Sequence, residues 1–145
     1  RKRRKPLFFH PVPIRARRDG WSIWRQCEFL SALYVTGSVS TAAETVEMSR
    51  MAAYRLRNRE GAEGFARAWD RVLTPPGSGR VIAPKPDYRK VTNSVLFRHA
   101  ETGLVQPVIY RGVMTAIRHK PDISARLRVL RRWDKACGDL REEAV

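Results

Sequence analysis

The sequence predicts a mainly α-helical chain with one β-hairpin in its C-terminal half. Three observations carry this. Apolar residues recur at helical spacing through residues 19–73, with capping residues at the breaks. Four prolines and two glycines then fall within residues 74–87, the composition of a linker. Beyond it, two runs rich in Val, Ile and Tyr flank Arg111–Gly112, a two-residue turn that fits a hairpin. The expected organisation is a basic extended arm at 1–18, a helical bundle at 19–73 and the linker at 74–87. A helix–hairpin–helix region at 88–138 and a tail at 139–145 complete it.

The arm, RKRRKPLFFHPVPIRARR, carries eight basic residues: Arg1, Lys2, Arg3, Arg4, Lys5, Arg15, Arg17 and Arg18. Its prolines and lack of helical period predict extended backbone. Such an arm can lie along a nucleic-acid backbone, where Lys and Arg displace counterions; a solvated tail or an import signal would have the same composition. Leu7, Phe8 and Phe9 argue for packing on the rest of the protein or on a second subunit.

Asp19–Gly20 ends the arm. Ser22 or Asp19 then caps a helix reaching about Thr36, with Ile23, Cys27, Leu30 and Tyr34 on one face and Phe29 and Leu33 beside them. Gly37 is placed to end it in the left-handed conformation. Trp21 and Trp24 are expected to pack. A further helix at 62–73 sets Phe65, Trp69 and Val72 on one face. After the linker come a helix at about 89–102, stopped by Gly103, and strands at 104–110 and 113–119. Pro107 cannot donate to a ladder, so the first strand is expected at an edge or bulged there. Pro121–Asp122 introduces a last helix, 123–137. Its expected apolar stripe is Ile123, Leu127, Leu130 and Cys137, with Trp133 adjacent. A lone hairpin is marginal in water, so this half is expected either to pack on the first or to self-associate.

Residues 39–58, VSTAAETVEMSRMAAYRLRN, predict two short helices joined by a tight turn at Glu47–Met48. Ala42, Val46, Met48, Ala53 and Leu56 close a small core, and Ala43 lets the helices approach. Ser49 is a favoured N-cap, and the helix start it caps can face a phosphate. Arg50, Met51, Tyr54, Arg55 and Asn58 point outward. This stretch resembles the DNA-binding helix-turn-helix over all twenty positions. One position departs from it: Glu47 stands where that motif usually has glycine. If the position needs positive φ, Glu costs about 1 kcal/mol relative to Gly.

The pieces DGW, FLSAL, TGSVSTAA, MSRMAAYRLR and GAEGFARAWD resemble small bacterial helix-turn-helix proteins. These are akin to DNA-binding domains of phage small terminase subunits and of transposases or resolvases. The resemblance implies duplex DNA as partner, a bacterial cytoplasmic, nucleoid-associated location and no cofactor. Arg50, Met51, Tyr54, Arg55 and Asn58 would then meet the major groove, with Ser49 at the DNA-facing start of the helix. Arg57, Arg59 and the arm (Arg1, Lys2, Arg3, Arg4, Lys5, Arg15, Arg17, Arg18) would meet phosphates.

Composition agrees with such a partner. In 145 residues the formal net charge is +15 and the pI is about 11.1, values that call for a polyanion. No apolar run is long enough to span a membrane, and no apolar stretch follows the basic start as in a signal peptide. Cys27 and Cys137 are isolated thiols that suit a reducing compartment. His10, His99 and His119 lack metal-ligand spacing. There is no Walker-type loop and no paired acidic motif, so no enzyme and no metal are expected. The leading expectation is a sequence-specific DNA-binding protein, most simply a transcriptional regulator, with a homo-oligomer formed through the C-terminal region. A terminase-like assembly subunit is the alternative, and so is a basic module that binds RNA polymerase or another acidic protein surface.

Overall fold

The computed structural model describes residues 3–14, 20–75, 77 and 90–143, with side chains through 138. It is mainly helical, and among these residues it contains six helices and one antiparallel hairpin. Most of the expected linker, together with Arg1, Lys2, Arg15, Arg17 and Arg18, lies outside the described residues.

Helix α1, Ile23–Thr36, begins where Ser22 Oγ accepts from the Arg25 N–H and ends at Gly37, whose φ of 70° is left-handed. Its buried face is Gln26, Cys27, Phe29, Leu30 and Leu33. Of the expected stripe, Cys27, Phe29, Leu30 and Leu33 are buried and Tyr34 packs against the core, but Ile23 is exposed; Trp24 is exposed too, while Trp21 is buried. Val12 of the arm and Trp21 cover the Gln26 side of the helix, and Ile23 lies off that face.

Helices α2 (Val39–Thr45) and α3 (Arg50–Arg57) follow. Ala42, Ala43, Val46, Ala53 and Leu56 are all buried, with Met48 partly so. The turn between them is a Schellman motif: Met48 N–H reaches Ala43 O at 2.9 Å and Glu47 N–H reaches Glu44 O at 3.0 Å. That closure needs a left-handed residue, and Glu47 supplies it with φ of 60°. Its carboxylate is 85% exposed and lies 3.8 Å from Arg25, a contact worth little. Glu47→Gly should therefore stabilise the protein by about 1 kcal/mol, a rise of roughly 3 °C in melting temperature. A drop instead would mean that the side chain holds the turn.

Helix α4, Glu63–Leu73, buries Phe65, Ala68, Trp69 and Val72. An aromatic cluster joins it to α1: Phe29 lies 5.0 Å from Trp69, 5.9 Å from Phe65 and 5.6 Å from Trp21, between ring centroids. Trp69 is a core residue, as its spacing implied.

The arm is extended, and residues 3–14 are seated on the protein. Phe9 and Val12 belong to the core, and Pro6 and Pro11 are buried. Gln26, fully buried on α1, holds Val12 by both backbone groups: Oε1 accepts from its N–H at 2.8 Å and Nε2 donates to its carbonyl at 3.1 Å. A third bond runs from Nε2 to Trp21 O at 3.1 Å.

After α5 (Asn93–Thr102) the hairpin is β1 (Leu104–Tyr110) and β2 (Val113–Lys120). Arg111 and Gly112 both have positive φ, as a type I′ turn requires. The register shifts between Val108 and Ile109, with Thr115 as the extra residue on β2. Pro107 still pairs with Ile117, so the bulge falls one pair beyond it. Phe9 and Val105 exchange both backbone bonds, at 2.9 and 3.0 Å. Val105 and Pro107 therefore turn their backbone groups away from β2, toward the arm, and the missing Pro107 N–H costs the hairpin nothing. It also stops the arm from pairing further, which leaves one isolated bridge. Val105 enters the common core, with Met114 and Ile117 packed against it. The hairpin thus finds its support on the first half of the chain.

Helix α6 runs Ile123–Glu143, so the expected tail is helical through 143. It packs on α5 by burying Ala125. The expected stripe faces outward instead: Ile123, Leu127, Leu130 and Trp133 are exposed, Trp133 at 65%. No described helix is long and apolar enough to cross a membrane.

Candidate nucleic-acid interface

Helix α3 is built to present one face. Ser49 Oγ accepts from the Ala52 N–H at 3.0 Å and fixes the first turn, and Ala53 and Leu56 anchor the helix inward. The opposite side carries Arg50, Met51, Tyr54, Arg55 and Asn58, all exposed, Met51 at 66%. The face is partly ordered before any partner arrives. Tyr54 leans on Trp69 with centroids 5.2 Å apart, and the Arg50 guanidinium lies 5.7 Å over the Tyr54 ring. Arg55 is exposed. Asn58 forms the C-cap, where its N–H meets Tyr54 O at 3.1 Å, and its side chain stays at the surface beside exposed Arg59.

Two of the basic residues assigned to phosphates have structural partners. Arg57 forms a two-point pair with Asp70 at 2.7 and 2.9 Å and stacks over Trp69 at 5.1 Å. Its fork is taken up in fixing α3 to α4. Arg3 donates through Nε to Tyr34 O and through Nη2 to Val35 O at 2.6 Å. It satisfies carbonyls left open at the C-terminus of α1, and its Nη1 lies 2.7 Å from where a Cβ on Gly37 would sit. Arg4 is half-buried and Lys5 exposed.

Folding also brings together residues that lie far apart in sequence. The His10 and His99 rings stack 3.7 Å apart at 6°. His10 Nε2 donates to Asp122 Oδ2 at 2.5 Å, and Asp122 Oδ1 caps α6 by accepting from the Ala125 N–H at 2.9 Å. The ligand atoms of these three residues lie within 4.8 Å of one another. The two rings, however, hold their lone pairs in nearly parallel planes 3.7 Å apart, which do not meet at one ion. The cluster fastens the arm to α5 and α6. Burial, and next the neighbouring His10, push His99 down to about 4. Burial alone would raise Asp122, but the Ala125 N–H and His10 outweigh it and hold the carboxyl below its usual range.

A depressed histidine stabilises the fold above its unfolded pKa, near 6.5, and this contribution is lost as pH falls toward 4. Thermal melts should therefore show the protein losing stability between pH 6.5 and 4. His99→Phe, which keeps a ring on His10, should lose less over the same interval. Equal losses would remove His99 as the cause.

Little in the sequence pointed to this cluster or to the Gln26 clamp. The one available signal was that Gln26 shares a helix face with Leu30 and Leu33, where a polar residue must find partners. Compared with protein-family models, with curated proteins and with solved structures, the chain matches none.

Proposed function

We propose that this chain binds double-stranded DNA in a sequence-dependent manner through α3, in the role of a transcriptional regulator. The observation that carries the reading is the exposed face of Arg50, Met51, Tyr54, Arg55 and Asn58 on a capped helix, within a chain of net charge +15. Arginine can bond a guanine edge at two points and asparagine an adenine edge, and an exposed Met can meet a thymine methyl. Arg59 and Lys5 remain at the surface for phosphates, whereas Arg57 and Arg3 act within the fold. Selection of bound sequences from random duplex DNA at near-physiological salt tests the reading. An enriched motif supports it; recovery of random sequence removes it.

The outward stripe of α6 favours self-association. Ile123, Leu127, Leu130, Asp134 and Cys137 follow the alternating four-and-three spacing of a two-helix seam. A parallel pair would set Arg126 beside Arg131 of the second copy and Asp134 against its own equivalent. An antiparallel pair avoids both like-charge contacts. Leu130→Glu, at an exposed site, should convert a dimer to a 16.7 kDa monomer in light scattering, with circular dichroism unchanged. A monomeric wild type would remove the dimer. A ring-sized mass would favour the second reading, a terminase-like assembly subunit.

A further inference from the structure

Two arginines of α3 lie over aromatic rings, and they differ in what holds their donors. The Arg57 guanidinium lies 5.1 Å over Trp69, and Asp70 takes its fork. The Arg50 guanidinium lies 5.7 Å over Tyr54. Arg50 is exposed, and among the described residues no carboxylate pairs with it.

The rings continue inward from there. Tyr54 meets Trp69 at 5.2 Å, and Trp69 meets Phe29 at 5.0 Å and Phe65 at 6.1 Å. Trp69 is 3% exposed and Tyr54 is 39% exposed. Helical side chains tilt toward the N-terminus, so residue 54 covers the turn that carries residue 50. The Tyr54 ring therefore rests on the core on one side and offers the remainder to Arg50.

We infer that Tyr54 is a positioning residue: it serves sequence recognition by holding Arg50, not by a base contact of its own. The inference rests on the reading of α3 as the helix that meets DNA. A cation–π contact engages the face of a guanidinium and leaves its in-plane donors free, and those donors bond the O6 and N7 of guanine. A long side chain loses rotamer freedom when it binds. An arginine already laid on a supported ring loses less. Arg57 has the same kind of support, but its fork is closed on Asp70.

The experiment is a double-mutant cycle in the full chain. Competition titrations at fixed near-physiological salt use the site that wild type selects from random duplex DNA. Arg50→Ala should weaken binding and relax base preference at one position. Tyr54→Leu should weaken binding about three- to fivefold and relax preference at that same position. Tyr54→Met is the second variant at this half-exposed site and should behave alike. Tyr54→Phe keeps the ring and should bind within about twofold of wild type. In the Arg50→Ala background, Tyr54→Leu should change affinity by less than about 1.5-fold. An equal loss with and without Arg50 would make Tyr54 a contact in its own right and overturn the inference. No loss, a loss as large in Tyr54→Phe, or an equal loss on selected and random duplex would do the same. A wild type that enriches no motif removes the DNA reading and the inference with it, whereas a selected site without coupling removes the inference alone.

Discussion

Gln26→Leu lowers the melting temperature by on the order of 10 °C. Leucine matches the volume and keeps the apolar contacts of α1. It leaves three backbone groups without their partner: the Val12 N–H, the Val12 carbonyl and the Trp21 carbonyl. Each buried group left unsatisfied costs about 1–3 kcal/mol. At roughly 1 kcal/mol each, the total is near 3 kcal/mol, a large share of the 5–15 kcal/mol typical of a domain. The loss should fall first on the arm, so amide exchange at Val12 should rise before exchange in α2 or α3. A melting temperature within 3 °C of wild type would show that Val12 finds other partners and that the clamp is dispensable.

If α3 reads DNA as proposed, Arg55→Ala should reduce affinity for a selected DNA site by about 1–3 kcal/mol, or roughly 5- to 150-fold. Arg55 is exposed on α3, so the fold should be untouched and the melting temperature unchanged. Binding to random duplex should fall far less, since that term comes from total positive charge. Competition titrations at fixed salt measure both. Equal losses on selected and random DNA would make Arg55 a phosphate contact and shift specificity to Arg50 and Asn58. No loss on either would take α3 out of the interface. Arg57→Ala provides a contrast: it breaks the pair with Asp70, so it should lower stability as well as binding.

Local signals were the readable part of this sequence. Ser22, Ser49 and Gly37 mark helix ends because each acts within a few residues of itself. The Arg111–Gly112 turn was readable for the same reason, and so was the buried set of α2 and α3. The sequence raised positive φ at Glu47 only as a condition, through the glycine usual in the resembled motif, and the structure meets that condition with φ of 60°. Periodicity misled where a distant segment decides which face is buried. Val12 of the arm covers α1 on the Gln26 side, and Ile23 lies off that face. On α6 the sequence carries a regular apolar stripe, but α5 takes the face around Ala125 instead. Charge was the least informative signal for individual residues. Arg3 and Arg57 look like phosphate ligands in sequence, and only the fold reveals the carbonyls and the carboxylate that occupy them.

The seating of residues 3–14 has a kinetic consequence. Most contacts in a small helical protein close short loops and form quickly. Here Gln106 must reach the Pro6 carbonyl across 100 positions, and Asp122 must reach His10 across 112. Closing such loops costs entropy before any contact repays it, and folding slows as mean contact separation grows. The α1–α4 bundle can assemble as soon as it leaves the ribosome. Residues 3–14 must then wait for Gln106 and Asp122 before they find their last partners.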